Sequence, residues 1–437
     1  MKKHLLFGIS LLSGISFAQQ ELPNVERCYS HKLIEHQELK TPGFAQHVNE
    51  QFEIAKNSPL VKGQGAVYTI PVVVHIVYDG ATPAQNIHDS IVYNQIHNLN
   101  LDYNRWNSDT VNMRSDFDIV AGSPDIEFRL ATIDPNGNPT TGITRTASSK
   151  YSFADISVFT TGNFGPLEEV KSTQNGGIDP WDQSRYMNIW VCNMEVFGMT
   201  PLLGYATPPA NLPNWPTGTT AGMQDGVVIQ YQAFGSNNPN NLLLGGATHE
   251  VLGRTLTHEV GHYLGLRHIW GDGDCTKQDG IDDTPNAIDQ SAGCDSTFNT
   301  CVDNIQGIDL PDMIENYMDY TDESCQNSFT KGQVALMHGV LENQRYDLVY
   351  NNPASLEKEG LSASIYPNPA SSILNIHLDN AAVKTVEVYN TYGQRLINSE
   401  QNGSSIQLDV SSLNQGVYFL RIVTTTGVFV VERFVRE

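Results

Sequence analysis

Basic residues are scarce in this sequence of 437 residues, which has 25 Lys and Arg against 48 Asp and Glu and a formal net charge of −23 at pH 7. This balance argues against binding to nucleic acid or to an anionic membrane surface, since both would repel the chain. After residue 18, no apolar run is long enough to predict a transmembrane helix. The six cysteines include no Cys-x-x-Cys pair, which disfavours a metal site built from cysteines.

The amino-terminal region predicts export. Lys2 and Lys3 precede an apolar stretch at residues 5–15, and residues 16–18 have the small-x-small form of a cleavage site. We therefore expect residues 1–18 to be a signal peptide and the protein to be secreted or to lie on the cell surface, where disulfides can form. A membrane anchor is the alternative, but the run is too short to span a bilayer.

The rest of the chain is long enough for two or three domains. Residues 19–64 are polar with little strand signal and are predicted to be a pro-segment, with Lys62 as a candidate processing site. Residues 65–350 are predicted to be a catalytic domain and residues 351–361 a polar linker. Residues 362–437 contain short strands of period two, which predict a small β-sandwich. Within the catalytic domain we predict strands at residues 69–78, 126–130, 186–192 and 226–231 and helices at residues 89–106 and 330–349.

A candidate zinc site lies between residues 256 and 268. His258 and His262 are four residues apart, which on a helix places both imidazoles on one face. Glu259 stands beside the first histidine, where a carboxylate can act as the general base for a metal-bound water. A buried helix with incidental histidines is the alternative, since Leu256, Val260 and Leu264 also form an apolar stripe.

Gly265 and His268 make this signal more specific. If the helix continued past His262, His268 would point away from the metal, so the helix must end first. Gly265 can take the left-handed conformation at a helix end without a Cβ penalty. His268 can then return as a third ligand, which leaves a fourth position for water in a catalytic Zn²⁺ site.

Further motifs follow the zinc motif. Ile-Trp-Gly-Asp comes directly after His268, Asp-Asp-Thr-Pro begins at Asp282, and Met318 is followed two residues later by Tyr320. With these motifs, residues 66–349 resemble the pappalysin family of metzincin metallopeptidases. The resemblance implies an α+β catalytic domain with a twisted mixed sheet, an active-site helix and a methionine turn. It also implies a zinc endopeptidase that acts on protein or peptide substrates.

The resemblance gives roles to several residues. Met318 would pack below the zinc, and Tyr320 would donate a hydrogen bond to the oxyanion of the intermediate. The alternative for Tyr320 is a side chain packed behind the turn. The strand at residues 226–231 would be the sheet edge that lines the cleft. Relatives often cut before Arg or Lys, but Ser324 stands where they have an acidic residue, which weakens that expectation here.

The loop after the third histidine is rich in carboxylates. The resemblance implies a structural Ca²⁺ in this region, for which oxygen ligands are suited, and a solvated acidic loop is the alternative. The candidate calcium ligands are Asp279, Asp282, Asp283 and Thr284.

Four cysteines cluster after the third histidine and allow three pairings. The family pattern favours Cys275–Cys301 and Cys294–Cys325, and Cys192 lies in an apolar strand as an expected buried free thiol. Cys28 is then left in the pro-segment, where a thiolate could take the fourth zinc position and keep the enzyme latent, as in the cysteine switch of related proenzymes. A Cys28–Cys192 disulfide or a spare thiol is the alternative.

The carboxyl-terminal module begins with Tyr366-Pro367-Asn368-Pro369 and ends with basic residues at Arg433 and Arg436. It resembles the C-terminal sorting domain of type IX secretion substrates, which implies the secretion machinery as a partner. A generic sandwich that binds carbohydrate or protein is the alternative. We therefore expect a secreted zinc endopeptidase made as a latent proenzyme. The competing hypothesis is a non-catalytic surface adhesin on a protease fold.

Overall fold

The computed structural model describes residues 26–59, 67–209, 224–244, 246–350, 363–378, 381–390, 395–425 and 429–437. The predicted signal peptide, Lys62 and the predicted linker at residues 351–361 lie outside these ranges. The strands up to residue 350 are β1 (Glu26–Cys28), β2 (Tyr68–Asp79), β3 (Ala121–Gly122), β4 (Ile126–Leu130), β5 (Ile143–Ser148), β6 (Met187–Cys192), β7 (Leu202–Ala206), β8 (Val227–Gln230), β9 (Leu242–Leu244), β10 (Ala247–His249) and β11 (Phe329–Thr330). The helices are α1 (Ser30–Lys40), α2 (Phe44–Asn57), α3 (Asp89–Tyr103), α4 (Ile156–Thr160), α5 (Gly165–Glu168), α6 (Arg254–Tyr263), α7 (Lys331–Glu342) and α8 (Tyr346–Val349).

A mixed sheet in the order β1-β7-β8-β6-β2-β4 forms the centre of the catalytic region, with β5 also paired to β2. Strand β2 is long enough to pair in parallel with β4 along its first half and with β5 along its second half. Strand β7 runs antiparallel to β8. The apolar runs of β2, β6 and β8 are buried on both faces, as expected of parallel strands covered by helices.

The prediction of which strand forms the edge of the sheet was wrong. Strand β8, which corresponds to the prediction at residues 226–231, lies between β6 and β7. The edge of the catalytic sheet is β7, and the pro-segment strand β1 pairs with it in parallel. Strand β7 has a glycine at its centre because the Glu259 side chain packs against it: a Cβ at Gly204 would lie 2.8 Å from Glu259 Cγ.

The pro-segment is more structured than its polar composition predicted. Helices α1 and α2 follow β1, and each inserts apolar side chains into the fold. Leu33 and Phe44 pack in the cluster around Trp190 on one side of the sheet. Phe52 and Ala55 pack in the larger cluster on the other side. These few buried side chains, spaced among charged ones, fix the pro-segment to both sides of the catalytic sheet.

The two predicted helices are shorter than expected. Helix α3 ends at Tyr103 instead of residue 106, and the predicted helix at residues 330–349 is broken into α7 and α8. Thr330 and Gln333 form a capping box at the start of α7. The break brings Arg345 into the core, where its guanidinium binds both carboxylate oxygens of Asp225 at 2.6 and 2.8 Å.

The carboxyl-terminal module forms two antiparallel sheets, in the orders β12-β13-β16 and β15-β14-β17-β18. Alternate side chains of both sheets meet in a separate apolar core, which is the small β-sandwich that the period-two pattern predicted. Among the described residues, no helix combines the length and the apolar character needed to cross a membrane. The strands are β12 (Ala363–Tyr366), β13 (Ile373–Leu378), β14 (Val383–Asn390), β15 (Arg395–Gly403), β16 (Ser405–Asp409), β17 (Gly416–Thr424) and β18 (Phe429–Arg436).

Candidate metal centre and active site

Three imidazoles converge beside helix α6. Nε2 of His262 lies 3.1 Å from Nε2 of His258 and 3.1 Å from Nε2 of His268. The Cys28 sulfur joins them, so that four buried donor atoms lie within 4.8 Å of one another. The structure therefore brings together the three predicted zinc ligands and the predicted latency residue.

Each of these imidazoles is oriented by an oxygen at its other ring nitrogen. Carbonyl and carboxylate oxygens only accept hydrogen bonds, so each Nδ1 carries the proton and each Nε2 presents a lone pair to the shared centre. Burial, together with the nearby His268, lowers the pKa of His258 to about 3. Three neutral nitrogen donors aimed at one point fit a zinc ion. The Nδ1 contacts are His258 to the Tyr317 carbonyl oxygen at 2.7 Å, His262 to the Leu266 carbonyl oxygen at 2.8 Å, and His268 to Asp272 Oδ1 at 2.6 Å.

Helix α6 ends at Tyr263, early enough for His268 to reach the other two histidines. Gly265 has φ +93°, the left-handed conformation expected of it. Its N–H donates to the His262 carbonyl oxygen, and the Leu266 N–H donates to the Gly261 carbonyl oxygen, each at 2.9 Å. These two bonds form a Schellman motif, which satisfies the last carbonyls of the helix and turns the chain back so that His268 reaches the centre.

Glu259 lies at the same centre, in contact with the pro-segment. Its Oε2 accepts hydrogen bonds from Ser30 Oγ at 3.0 Å and from Cys28 Sγ at 3.3 Å. Its Oε1 is buried without a hydrogen-bond partner in the described part of the chain. Burial raises the pKa of Glu259 to about 8. Burial, together with the Glu259 charge, also raises the pKa of the Cys28 thiol well above its ordinary value.

Tyr320 and Met318 lie below and beside the histidines. Tyr320 Oη accepts from the Cys28 N–H and donates to the Cys28 carbonyl oxygen, both at 3.1 Å. The Met318 sulfur packs against Gly261 so closely that a Cβ at Gly261 would overlap it. In this state the tyrosine hydroxyl therefore holds the pro-segment, and the thioether fills the space under the helix.

Two disulfides close the long loop around the methionine turn. They join Cys275 to Cys301 and Cys294 to Cys325, the pairs that the family pattern favours. Cys28 and Cys192 are free and buried, so the alternative disulfide between them is not formed.

The predicted calcium ligands differ in burial. Asp279 Oδ2 and Asp283 Oδ1 are buried and have no hydrogen-bond partner among the described residues. Burial raises the pKa of Asp279 to about 8. Asp282 points outward, since its side chain is 92% exposed and pairs with Lys56 at 3.1 Å. Thr284 is buried, with its Oγ1 3.5 Å from Thr330 Oγ1.

Three further residues hold or orient groups of the site, and the sequence did not predict these roles. Ser30 donates to Glu259, and Asp272, the last residue of the Ile-Trp-Gly-Asp motif, orients His268. Glu323 binds the start of α6: its carboxylate accepts from the N–H groups of Leu252, Arg254 and Thr255. A carboxylate at a helix N-terminus is favourable, but no sequence spacing connects residue 323 to a helix that begins at residue 254.

The pro-segment also contacts the segment after the methionine turn. Arg27 donates to the Thr321 carbonyl oxygen at 2.6 Å and pairs with Asp322 at 3.4 Å. Ser324 is exposed, with its hydroxyl 3.8 Å from the Cys294 sulfur. The acidic group that meets a basic side chain here is therefore Asp322 and not the residue at position 324.

Known proteins resemble this chain in sequence. Residues 172–342 match the family described as pregnancy-associated plasma protein-A, and residues 364–437 match the secretion system C-terminal sorting domain. An extracellular metalloprotease of Arthroderma benhamiae is 30% identical over 319 residues, which cover 72% of this chain and 86% of that protein. The chain belongs to the pappalysin family of metallopeptidases.

Solved structures agree with this family. Promirolysin of Tannerella forsythia, solved as a mutant, is 38% identical, with a TM-score of 0.59 over 74% of this chain and 97% of that chain. Mature mirolysin in complex with a cleaved peptide is 41% identical, with a TM-score of 0.54 over 65% of this chain and 97% of that chain. The metallopeptidase is thus a secreted or surface-located metalloendopeptidase with a propeptide, for which the family implies zinc. The alternative of a non-catalytic adhesin is set aside.

Proposed function

We propose that the metallopeptidase hydrolyses peptide bonds with zinc held by His258, His262 and His268, and that Cys28 keeps the uncut chain latent. The convergence of three lone pairs, one thiol and the Glu259 carboxylate on a single buried point carries this proposal. When bound, zinc supplies a Lewis acid and lowers the pKa of its water towards about 7. The protein side chains supply proton transfer, orientation and exclusion of water.

Glu259 is proposed as the general base and acid. Its Oε2 would accept the proton of the attacking water and deliver it to the nitrogen of the leaving amine. The raised pKa of about 8 belongs to the state in which the pro-segment seals the site. Removal of Cys28 and Ser30 would admit water to both carboxylate oxygens and relieve the burial that causes this shift.

The substrate would replace the pro-segment at two places. The main-chain groups of β7 that now pair with β1 would pair with an extended peptide. The Tyr320 hydroxyl, released from the Cys28 backbone, would donate to the oxygen on which negative charge develops. A pro-segment that occupies both the sheet edge and the tyrosine would therefore still compete with substrate when its thiol is removed.

Calcium is a second proposed ion. Asp279 Oδ2 and Asp283 Oδ1 are buried carboxylate oxygens without hydrogen-bond partners in the described part of the chain, and a divalent cation would satisfy both. Asp282 contributes nothing to this pair while it faces Lys56. The role proposed for this cation is structural, since the loop it would hold carries Asp272 and ends near α7.

The test of the catalytic proposal is Glu259→Ala in the processed enzyme. We expect bound zinc to stay at one ion per chain and kcat/KM for a peptide substrate to fall by several orders of magnitude, since base and metal act as a unit. A chelator should abolish the activity of the wild type. Near wild-type turnover by the Ala variant would contradict the mechanism.

A further inference from the structure

The second pro-segment helix, α2, has its own binding surface on the catalytic region. Helix α2 crosses α7 at Gly339, where an added Cβ would overlap the Ala55 carbonyl oxygen. Such a close backbone approach is possible only with glycine at this position. Beyond the crossing, Gln344 Nε2 donates to the Gln51 carbonyl oxygen at 3.0 Å.

The other side of this surface is formed by the loop after the zinc motif. Arg267 makes a cation–π contact with Phe52: its Cζ lies 4.0 Å from the centroid of the Phe52 ring. A Cβ at Gly280 would lie 2.8 Å from the same ring. Lys56 Nζ donates to the Gly280 carbonyl oxygen at 2.8 Å.

These contacts define the kind of helix that fits. The groove accepts a helix with an aromatic side chain, a small residue three positions later and a lysine four positions later, as in Phe52, Ala55 and Lys56. Gly339 and Gly280 leave room for this helix in the groove. Arg267 and the Gly280 carbonyl oxygen are its polar groups. None of the residues named for the groove belongs to the donor cluster of Cys28, His258, His262 and His268.

We propose that this groove is a helix-binding exosite that retains the pro-segment after the chain has been cut, independently of the metal and of Cys28. The proposal rests on the latency proposed above. Cleavage anywhere between residues 59 and 67 would leave α2 in the groove and β1 on the sheet edge. Activation would then require a second event, the loss or digestion of the bound segment.

The experiment uses the full chain with a site-specific protease sequence placed in residues 60–66 and with Glu259→Gln as a background that prevents self-digestion. After the cut, native size-exclusion chromatography and mass spectrometry measure how fast the pro-segment leaves. Cys28→Ala removes the thiol, and a parallel sample is stripped with a chelator. Gly339→Ala places a methyl group in the groove. Gly80→Ala is the matched control, because its Cβ would meet nothing within 4 Å.

We expect the segment to stay bound in the Cys28→Ala variant, in the chelated sample and in the Gly80→Ala control. Gly339→Ala should speed its release by about tenfold to a hundredfold, the range for overpacking a close contact. Release from Gly339→Ala no faster than from Gly80→Ala would overturn the proposal, and so would complete release on loss of the thiol alone. If Gly339→Ala does not fold, Phe52→Ala should give the same fast release. Because the readout is bound mass, failure here is distinguishable from failure of the catalytic proposal.

Discussion

At the scale of single residues, Cys28 is the group that we propose keeps the uncut chain latent. Its sulfur shares the donor cluster with the three histidines, and Cys192, the other free thiol, is buried in β6. Cys28→Ala in the uncut chain should raise peptidase activity at least about tenfold over the uncut wild type, since a thiolate ligand would no longer compete with water. It should stay below the processed enzyme, because β1 and α2 still occupy their sites.

The matched control for this change is Cys192→Ala, which removes a buried thiol without touching the metal centre. Activity before processing, measured with a short fluorogenic peptide, separates the two variants. If Cys28→Ala is as latent as Cys192→Ala, steric blockage by the segment is the better explanation of latency.

Asp102 gives a prediction on pH. Burial raises its pKa to about 6, and this outweighs the ion pair with Arg254 at 3.7 Å and the hydrogen bond from Thr257 at 2.7 Å. Between about pH 4 and pH 6 the folded state keeps a proton that the unfolded state releases, so this carboxyl lowers stability as the pH rises. Over this pH range, the free energy of unfolding falls by at most about 3 kcal/mol because of this carboxyl.

Asp102→Asn cannot titrate and serves as the comparison. The melting temperature of the wild type minus that of the variant should fall from pH 4 to pH 6 and then stay level, as measured by differential scanning fluorimetry. A difference that rises over this range would contradict the assignment.

Much of the metal centre could be predicted from the sequence because it is local. His258, Glu259 and His262 share one helix, and the need to end that helix at Gly265 follows from the spacing of His268. The groups that orient these ligands could not be predicted in the same way. Two of them are backbone carbonyls, of Tyr317 and Leu266, which carry no residue signature.

At the scale of secondary-structure elements, helix α6 depends on one distant carboxylate. Glu323 binds the first N–H groups of the helix and also the Thr255 hydroxyl at 2.9 Å. Glu323→Ala would leave several buried donors without acceptors, each at a cost of about 1–3 kcal/mol. We expect a melting temperature lower by roughly 5–10 °C and a weaker hold on zinc, because His258 and His262 lie on this helix.

Glu250→Ala is the control, since Glu250 is an exposed carboxylate four residues before α6. Thermal melting and zinc retention during dialysis against a chelator measure both effects. Equal melting temperatures for the two variants would show that the Glu323 cap contributes little.

The elements that sequence reasoning misplaced are short or depend on their partners. Strand β7 is five residues long with a central glycine, so its pattern resembles a turn more than an edge strand. The family resemblance implied that the strand before the zinc helix, β8, is the edge, although a strand's place in the chain does not fix its place in the sheet. Helices α1 and α2 are mostly polar and owe their burial to a few apolar side chains.

At the scale of the whole molecule, the described residues form several apolar cores, and only some of these cores contain side chains of the pro-segment. The sandwich of residues 363–437 has a core of its own and resembles a sorting domain in the family comparison. The two largest apolar clusters of the catalytic region both contain side chains of the predicted pro-segment. The pattern of residues 1–18 predicted the export of this chain, but only the packing shows that the predicted pro-segment is part of the folded catalytic region.

In the uncut chain, the pro-segment thiol is proposed to complete the donor set of the catalytic metal. In the alternative, the thiol only donates a hydrogen bond to Glu259, which it contacts at 3.3 Å. Replacement of zinc by cobalt(II) makes the difference visible, because a thiolate ligand adds a charge-transfer band in the near ultraviolet.

The decisive measurement is this spectrum for the uncut cobalt-loaded chain, its Cys28→Ala and Cys192→Ala variants, and the processed enzyme. We predict the band in the wild type and in Cys192→Ala, and its absence from Cys28→Ala and from the processed enzyme freed of its pro-segment. A wild-type spectrum identical to that of Cys28→Ala would contradict the claim, because the sulfur would then not be bound to the metal.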